Sequence, residues 1–260
     1  MHTKVIVKTR NFRFGRYIET NDPKETKDWT FDLGTNENAK FGSYGEWQAQ
    51  SRWLSDKLKS NTRIACFSLD TPPLTGNHIE DIFKRGFCKP RMWAQYAGRH
   101  KGACLIFDFQ RFKQLVEAQF PAPFLVMSGP VNYADRPIFS RDDESAYTIN
   151  IDYLRRLGET QYFKSHLLTF YKCMFFEKMT DWQGEREFRW IIFSDQQEDL
   201  LVKFGNSLVG IMFGADCDQS EVNDILTTTS QIGVTCTGLK WKNCSPWYDF
   251  GNLKYIGFKP

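Results

Sequence analysis

Two glutamates and an arginine stand at alternate positions in the run Glu185-Arg-Glu187-Phe-Arg189. If the run is extended, its period of two places all three side chains on one face. Two nearby carboxylates suit chemistry on a sugar, because one can stabilise an oxocarbenium-like centre or hold a ribose hydroxyl while the other accepts a proton. Arg189 would keep at least one of them ionised. The alternative is an edge strand with a solvated, salt-bridged face.

A second cluster joins aromatic and polar residues in Met92-Trp93-Ala-Gln-Tyr96, followed by His100-Lys101-Gly102. Trp93 and Tyr96 are three residues apart and share a helical face, and His100 lies one turn further if the helix persists. The functional interpretation is a stacking wall with a polar rim. The alternative places Trp93 and Tyr96 in the core and His100 in a loop.

Several familiar kinds of site are excluded by their missing motifs. A Ser-His-Asp triad would need Ser68, His100 and a carboxylate to meet, but the sequence has no G-x-S-x-G element. It also has neither a Gly-rich phosphate loop nor a G-x-G-x-x-G run, so a nucleotide would have to bind in another way. The four histidines lack metal-binding spacing, and we therefore expect no metal.

The elements that position these residues follow from hydrophobic periodicity and turn signals. Helices are predicted at Tyr44–Lys59, His78–Lys84, 110–119, Ala146–Met179 with a break at Gly158, and Glu221–Thr227. Strands are predicted at Arg63–Ser68, Ala103–Phe109, Val126–Tyr133, Phe188–Phe193, Leu200–Phe204, Leu208–Phe213 and Ile232–Trp241. This order predicts an α+β fold in one domain, with a mixed or largely antiparallel sheet and a long central helix.

Composition narrows the class of protein. The 260 residues carry a net charge of +3, too near balance for a general polyanion binder. No apolar stretch approaches the roughly 18 residues that span a bilayer, and the first 13 residues contain no secretory signal, so we expect a cytoplasmic protein with no membrane partner. Seven cysteines without a C-x-x-C pair are expected to be small buried hydrophobes.

Several of these residue groups, in this order, resemble the bacterial domain of unknown function family 2971 (DUF2971). They are Asn21-Asp22-Pro23 with Glu25, Cys66-Phe67-Ser68, Met92-Trp93 with Tyr96, His100-Lys101-Gly102, Val131 with Tyr133, and Lys178, Trp182, Glu185, Glu187 and Arg189. Residues 211–214 resemble the family's later strand-and-glycine element. The family-like core therefore covers about residues 12–214 of a single domain, 1–260, and a C-terminal strand and tail occupy 215–260.

The resemblance implies an accessory or defence-type cytoplasmic protein, such as a phage-defence or toxin effector. An early strand, a serine at a strand end and a Glu-x-Glu segment feeding a strand are also similar to ADP-ribosyltransferases, in which a glutamate grips the nicotinamide ribose of NAD. By that similarity we expect the chain to cleave NAD and pass ADP-ribose to a protein, a nucleic acid or water. NAD is then the substrate, and a further partner protein is consistent with a defence role.

The expected roles follow from this similarity. Glu187 would stabilise the oxocarbenium, and Glu185 would orient or deprotonate the acceptor. The substrate-binding residues would be Ser68, Trp93, Tyr96, His100, Trp182 and Arg189, with Ser68 fixing the ribose or nicotinamide and Trp93 or Tyr96 stacking on it. We expect Glu187→Gln to abolish turnover and to leave folding intact.

The same residues also fit two other functions. A non-catalytic module could use Arg91, Arg99 and Lys101 around the aromatic residues to bind a nucleotide or single-stranded nucleic acid. A metal-dependent nuclease could use Glu185, Glu187 and Asp181. Family members open with a His-Tyr-Thr-Ser-like strand, of which His2-Thr3 is at best a remnant. If that strand supplies a nucleotide contact, the chain is inactive, shortened or completed by another subunit.

Overall fold

The computed structural model describes residues 2–37, 40, 42–136, 144–196 and 198–248. In these residues the α-helices are α1 (His2–Thr9), α2 (Pro23–Thr26), α3 (Tyr44–Ser60), α4 (His78–Asp81), α5 (Pro90–Tyr96), α6 (Phe109–Gln119), α7 (Ile151–Phe175) and α8 (Gln219–Thr229). The strands are β1 (Asn11–Arg16), β2 (Asp32–Gly34), β3 (Thr62–Ser68), β4 (Ala103–Phe107), β5 (Leu125–Pro130), β6 (Asn132–Tyr133), β7 (Thr148–Asn150), β8 (Glu177–Lys178), β9 (Glu187–Phe193), β10 (Leu200–Lys203), β11 (Leu208–Phe213), β12 (Thr235–Lys242) and β13 (Ser245–Tyr248). None of the described helices is long and apolar enough to cross a membrane.

Two large sheets form the centre of the fold and confirm the predicted α+β class. The first has the strand order β10-β1-β3-β9-β5, and all its neighbours are antiparallel. The second has the order β13-β12-β11-β4 and is mixed, because β11 and β12 run parallel. Two short parallel pairs, β2 with β7 and β6 with β8, complete the sheets of the described residues.

Apolar side chains from both large sheets share one core. Trp190 on β9 and Ile211 on β11 are buried in it together with Phe112 of α6. The opposite face of the five-stranded sheet packs against α3 and α7 in a second core, where Leu54 and Leu167 meet Ile191. Residue 191 directly follows 190, so the period of two along β9 sends consecutive residues to different cores.

Helix α7 confirms the predicted long central helix and its break. Gly158 has φ 73° and ψ 164°, a conformation outside the helical region that glycine adopts without strain. Asn150 begins the helix, since its side chain accepts hydrogen bonds from the N–H groups of Asp152 and Tyr153. The helix is shorter than predicted, because residues 144–147 form a 3-10 turn and 148–150 form β7.

The other predicted helices and strands are present with small shifts at their ends. The sequence did not predict α1, which ends one residue before β1, or the short strands β2 and β13. Part of the C-terminal tail, residues 249–260, lies outside the described residues.

The cysteines depart in part from expectation. All seven are free thiols. Cys88 is buried, as expected, Cys104, Cys173, Cys217 and Cys236 are half-buried, and the expectation of a buried residue is wrong for the exposed Cys66 and Cys244. Cys244 lies in the tight turn between β12 and β13. Cys66 is exposed because β1 pairs with β3 only at Ile64 and Arg63, which leaves the β3 edge at Cys66 without this partner. The thiol group itself is shielded from water and hydrogen-bonded to Glu187, and this local burial raises its pKa.

Candidate active site

The two glutamates of the central motif reach the site from different backbone structures. Glu187 is the first residue of β9, whereas Glu185 ends a 3-10 helix that begins at Thr180. Arg186 between them is left-handed, with φ 46°, and turns the chain from the 3-10 helix into the strand. The assumption that one extended segment carries both carboxylates is therefore wrong, although the two side chains do converge.

Lysine and arginine side chains hold the carboxylates together. Lys178 Nζ lies 3.0 Å from Glu185 Oε2 and 3.0 Å from Glu187 Oε2. Arg189 Nε donates to Glu187 Oε1 at 2.6 Å, and the same guanidinium donates to Glu25. We call these five residues the charge cluster.

The charge cluster is buried, since each of its five side chains is at most 4% exposed. The strand that carries Glu187 and Arg189 has neighbours on both sides, β3 and β5. The alternative of a solvated edge strand is therefore wrong. A buried network of this kind is tolerated only when its charges are paired and hydrogen-bonded.

The pairing sets the protonation states of the charge cluster. Burial acts to raise the pKa of Glu187, but Arg189 and Lys178 outweigh it and the pKa is lowered. Burial acts to lower the pKa of Lys178, but Glu187 and the other carboxylates raise it. For Glu25, burial dominates over Arg189 and raises the pKa. Glu187 and Lys178 are thus held in their charged forms, while the pKa of Glu25 lies above its ordinary value.

The Asn-Asp-Pro turn explains how Glu25 reaches Arg189. Asp22 Oδ1 accepts the N–H of Lys24 at 2.9 Å and caps α2, and Pro23 occupies the first helical position. This one-turn helix carries Glu25 to the guanidinium of the charge cluster. Asn21 donates to the hydroxyl of Tyr96 at 3.1 Å, so the turn also contacts the second sequence motif.

Tyr96 and Ser68 connect the charge cluster to its surroundings. The Tyr96 hydroxyl donates to Glu185 Oε1 at 2.5 Å, and the Ser68 hydroxyl donates to the Glu185 backbone carbonyl at 2.7 Å. Ser68 also stands directly opposite Glu187 in the register of β3 and β9. Burial and the hydrogen bond to Glu185 raise the pKa of Tyr96, so its hydroxyl keeps its proton.

A cavity of about 440 Å³ lies beside Ser68 and Tyr96, and both residues line it. Its lining includes Phe12 of β1 and Cys66 of β3, which lie beyond Gly15 and Ile64, the last residues at which these two strands pair. We call it the aromatic cavity, because most of its wall is apolar and its rings include Phe12, Phe67, Phe107, Phe112 and Trp190. The charge cluster does not line it.

The remaining expected substrate-binding residues divide between the aromatic cavity and the charge cluster. Trp93 lines the cavity, is 2% exposed and donates to the Phe87 carbonyl at 2.7 Å. His100 stacks on Trp93, with ring centroids 6.4 Å apart and planes 11° apart, so it supports the tryptophan from behind. Trp182 lies over Lys178, whose Nζ is 4.7 Å from the ring centroid.

Several residues join the site without having been assigned a role from the sequence. Glu25 and Lys178 were part of the DUF2971 resemblance, but nothing in their spacing indicated a contact with Arg189 or with the glutamates. Lys89, whose Nζ lies 3.4 Å from Ser68 Oγ, belongs to none of the motifs identified in the sequence. Tyr133 accepts the N–H of Glu187 at 2.8 Å. Within the described ranges, no group of three or more His, Cys, Asp or Glu side chains is arranged to hold a metal.

Residues 92–190 match the model of a family described as "Protein of unknown function (DUF2971)". The expected resemblance is therefore confirmed over this segment, which contains Trp93, Tyr96 and four of the five residues of the charge cluster. Glu25 and Ser68 lie outside the matched segment and meet it only in the folded chain. The comparisons with curated proteins and with solved structures found no match.

Proposed function

We propose that the protein is an ADP-ribosyltransferase-like enzyme that cleaves NAD at the bond between nicotinamide and ribose. The observation that carries this proposal is the position of Ser68 opposite Glu187, at the wall of the aromatic cavity. A serine at a strand end beside a Glu-x-Glu segment is the arrangement that resembles ADP-ribosyltransferases. The motif similarity and the contacts therefore support the same site.

The aromatic cavity suits the nicotinamide end of the substrate. Small-molecule sites are typically apolar concavities with a few polar groups that fix orientation. Here aromatic walls offer faces for a flat ring, and Ser68 and Tyr96 are polar residues at the wall. In this pose the ribose lies next to Ser68 and Tyr96, and the rest of the dinucleotide extends out of the cavity.

The charge cluster would act on the bond without entering the cavity. As the C–N bond breaks, its electron pair leaves with the nicotinamide nitrogen, which becomes neutral, and the ribose carbon becomes cationic. Glu187, kept ionised by its cations, supplies a fixed negative charge near that carbon. The acceptor hydroxyl or water gives its proton to the Tyr96 oxygen while the Tyr96 proton passes to Glu185, and the acceptor oxygen bonds to the ribose carbon.

The test is nicotinamide release from NAD, followed by chromatography in the presence of EDTA. We expect the unmodified chain to release nicotinamide. Tyr96→Phe should lower the rate by about a hundredfold, because it removes the proton path to Glu185. Tyr153→Phe, a change at an exposed tyrosine of α7, should leave the rate unchanged. Absence of release from the unmodified chain, or an equal rate in Tyr96→Phe, would contradict the proposal.

A second candidate function is a binding module without turnover. The observation that favours it is the closure of the charge cluster, whose carboxylates are at most 4% exposed and do not line the cavity. Such a module would bind NAD or another nucleotide without releasing nicotinamide. For single-stranded nucleic acid, binding would also weaken steeply as salt is added.

A further inference from the structure

Lys89 is a cation next to the aromatic cavity without an ion-pair partner in the described part of the chain. Its Nζ lies 3.4 Å from Ser68 Oγ and 3.3 Å from the Glu185 carbonyl oxygen, and both of these atoms belong to uncharged groups. The residue directly precedes α5, which carries Trp93 and Tyr96. Its ammonium is thus held beside a residue of the cavity wall rather than extended into solvent.

Arg186 places a second positive charge near Lys89. It is exposed and left-handed, with φ 46°. Its backbone carbonyl accepts the N–H of Leu69, which lines the cavity next to Ser68. Burial and, after it, the charge of Arg186 lower the pKa of Lys89 to about 8. The positive charge of Arg186 therefore acts on Lys89, and the backbone of Arg186 is hydrogen-bonded to a residue of the cavity wall.

The acidic groups that act on Lys89 are already engaged by other partners. Asp70 accepts hydrogen bonds from Arg85 at 2.5 Å and from the N–H of Gly86 at 2.7 Å. The carboxylate of Glu185 pairs with Lys178. Positive charge at Lys89 and Arg186 consequently exceeds negative charge, and an anionic ligand group would offset their repulsion.

We propose that Lys89 and Arg186 bind the phosphate group of a ligand whose ring occupies the aromatic cavity. The ligand class is a phosphorylated nucleoside, with its base in the cavity, its sugar at Ser68 and its phosphate at Lys89. The identification of the base as nicotinamide rests on the proposed function, whereas the phosphate site does not. Charge-assisted hydrogen bonds to a phosphate are stronger than neutral ones and supply the affinity.

The test compares two ligands that differ by one phosphate, nicotinamide mononucleotide and nicotinamide riboside, by calorimetric titration. We expect the mononucleotide to bind about tenfold more tightly or better. In Lys89→Met this advantage should fall to about twofold, while the affinity for the riboside stays the same. Arg186→Gln should partly reduce the advantage of the mononucleotide over the riboside. Lys240→Met, a change at an exposed lysine of β12, should preserve it. An unchanged advantage in Lys89→Met would overturn the phosphate site.

A second pair, adenosine monophosphate and adenosine, separates this inference from the proposed function. If neither nicotinamide compound binds but the adenosine monophosphate advantage is present and is lost in Lys89→Met, the phosphate site is supported and the NAD proposal fails. If the riboside binds as tightly as the mononucleotide, the phosphate site fails and the NAD proposal stands. If none of the four compounds binds, the phosphate site is overturned.

Discussion

The two faces of β9 differ in chemistry and in how completely they are filled. Glu187 and Arg189 point to one face, where every carboxylate of the charge cluster meets a cation. Phe188 and Trp190 point to the other face and pack with the rings of the apolar core, where Trp190 lines the aromatic cavity. One face is therefore closed by its own ion pairs, and the other borders space for a ligand.

This difference indicates that the charge cluster positions groups within the protein, whereas the aromatic cavity recognises the ligand. Buried charges that pair with one another hold their positions, because breaking one pair would leave its partner buried and unpaired at a large cost in free energy. Their electrostatic field is therefore fixed in space. A cavity with aromatic walls accepts a ring without breaking any internal bond. Ser68 and Tyr96 belong to both regions, since they line the cavity and donate to Glu185. A ligand in the cavity would therefore be linked to the charge cluster through the hydrogen bonds of these two residues.

The largest effect should come from removing the central cation of the closed face. Arg189→Met leaves Glu187 and Glu25 buried without their guanidinium partner, and we expect it to lower the free energy of unfolding by about 3–5 kcal/mol. Urea denaturation measures this change. Arg186→Met, three residues earlier but exposed, should change it by less than about 0.5 kcal/mol. Equal effects of the two variants would show that the charge cluster is not a buried network.

Glu187→Gln should also destabilise the protein, which replaces the earlier expectation of intact folding. The amide cannot pair with both cations, and we expect a loss of about 2–3 kcal/mol at neutral pH. Because folding lowers the pKa of Glu187, its stabilisation is present above the ordinary carboxyl range and is lost as the pH falls through the folded-state value. The difference in free energy of unfolding between the wild type and Glu187→Gln should therefore become smaller in acid. A difference that widens in acid would contradict the lowered pKa.

A smaller effect is expected at Gly214, which contacts the loop that carries His100. A Cβ at this position would overlap the backbone carbonyl of His100, and the Gly214 N–H donates to the Gly102 carbonyl at 2.9 Å. Gly214→Ala should push away the loop whose His100 stacks on Trp93, at a cost of about 1–3 kcal/mol. Gly184→Ala, where a Cβ would meet open space, is the control. Tryptophan fluorescence should change only in the first variant.

The smallest expected effect concerns Lys89, which lies where the aromatic cavity and the charge cluster meet. Lys89 has a pKa of about 8 and binds an anion only when protonated. The advantage of nicotinamide mononucleotide over the riboside should therefore decline severalfold as the pH rises from about 7 to about 9. In Lys89→Met the advantage should be small and independent of pH. A pH profile shared by both proteins would assign the titration to another group.

The sequence predicted the period of β9, the break at Gly158 and the α+β class, because these depend on local patterning and single-residue conformations. It did not predict that the charged face of β9 is buried, since that depends on β3 and β5 pairing on both sides. The 3-10 placement of Glu185 and the approach of Glu25 to Arg189 likewise arise from contacts between distant segments. Lys89 carried no signal, because a single lysine before a proline resembles many surface positions.

The most direct test of the aromatic cavity as the substrate site is a calorimetric titration of NAD into a variant that fills the cavity and leaves the charge cluster untouched. Leu105 lines the cavity from β4, and Leu105→Trp adds bulk there. Leu226→Trp, at an exposed position of α8, adds the same ring elsewhere. With both variants folded by circular dichroism, we expect NAD binding to be lost in Leu105→Trp and kept in Leu226→Trp. Undiminished binding of NAD by Leu105→Trp would contradict the assignment of the cavity as the substrate site.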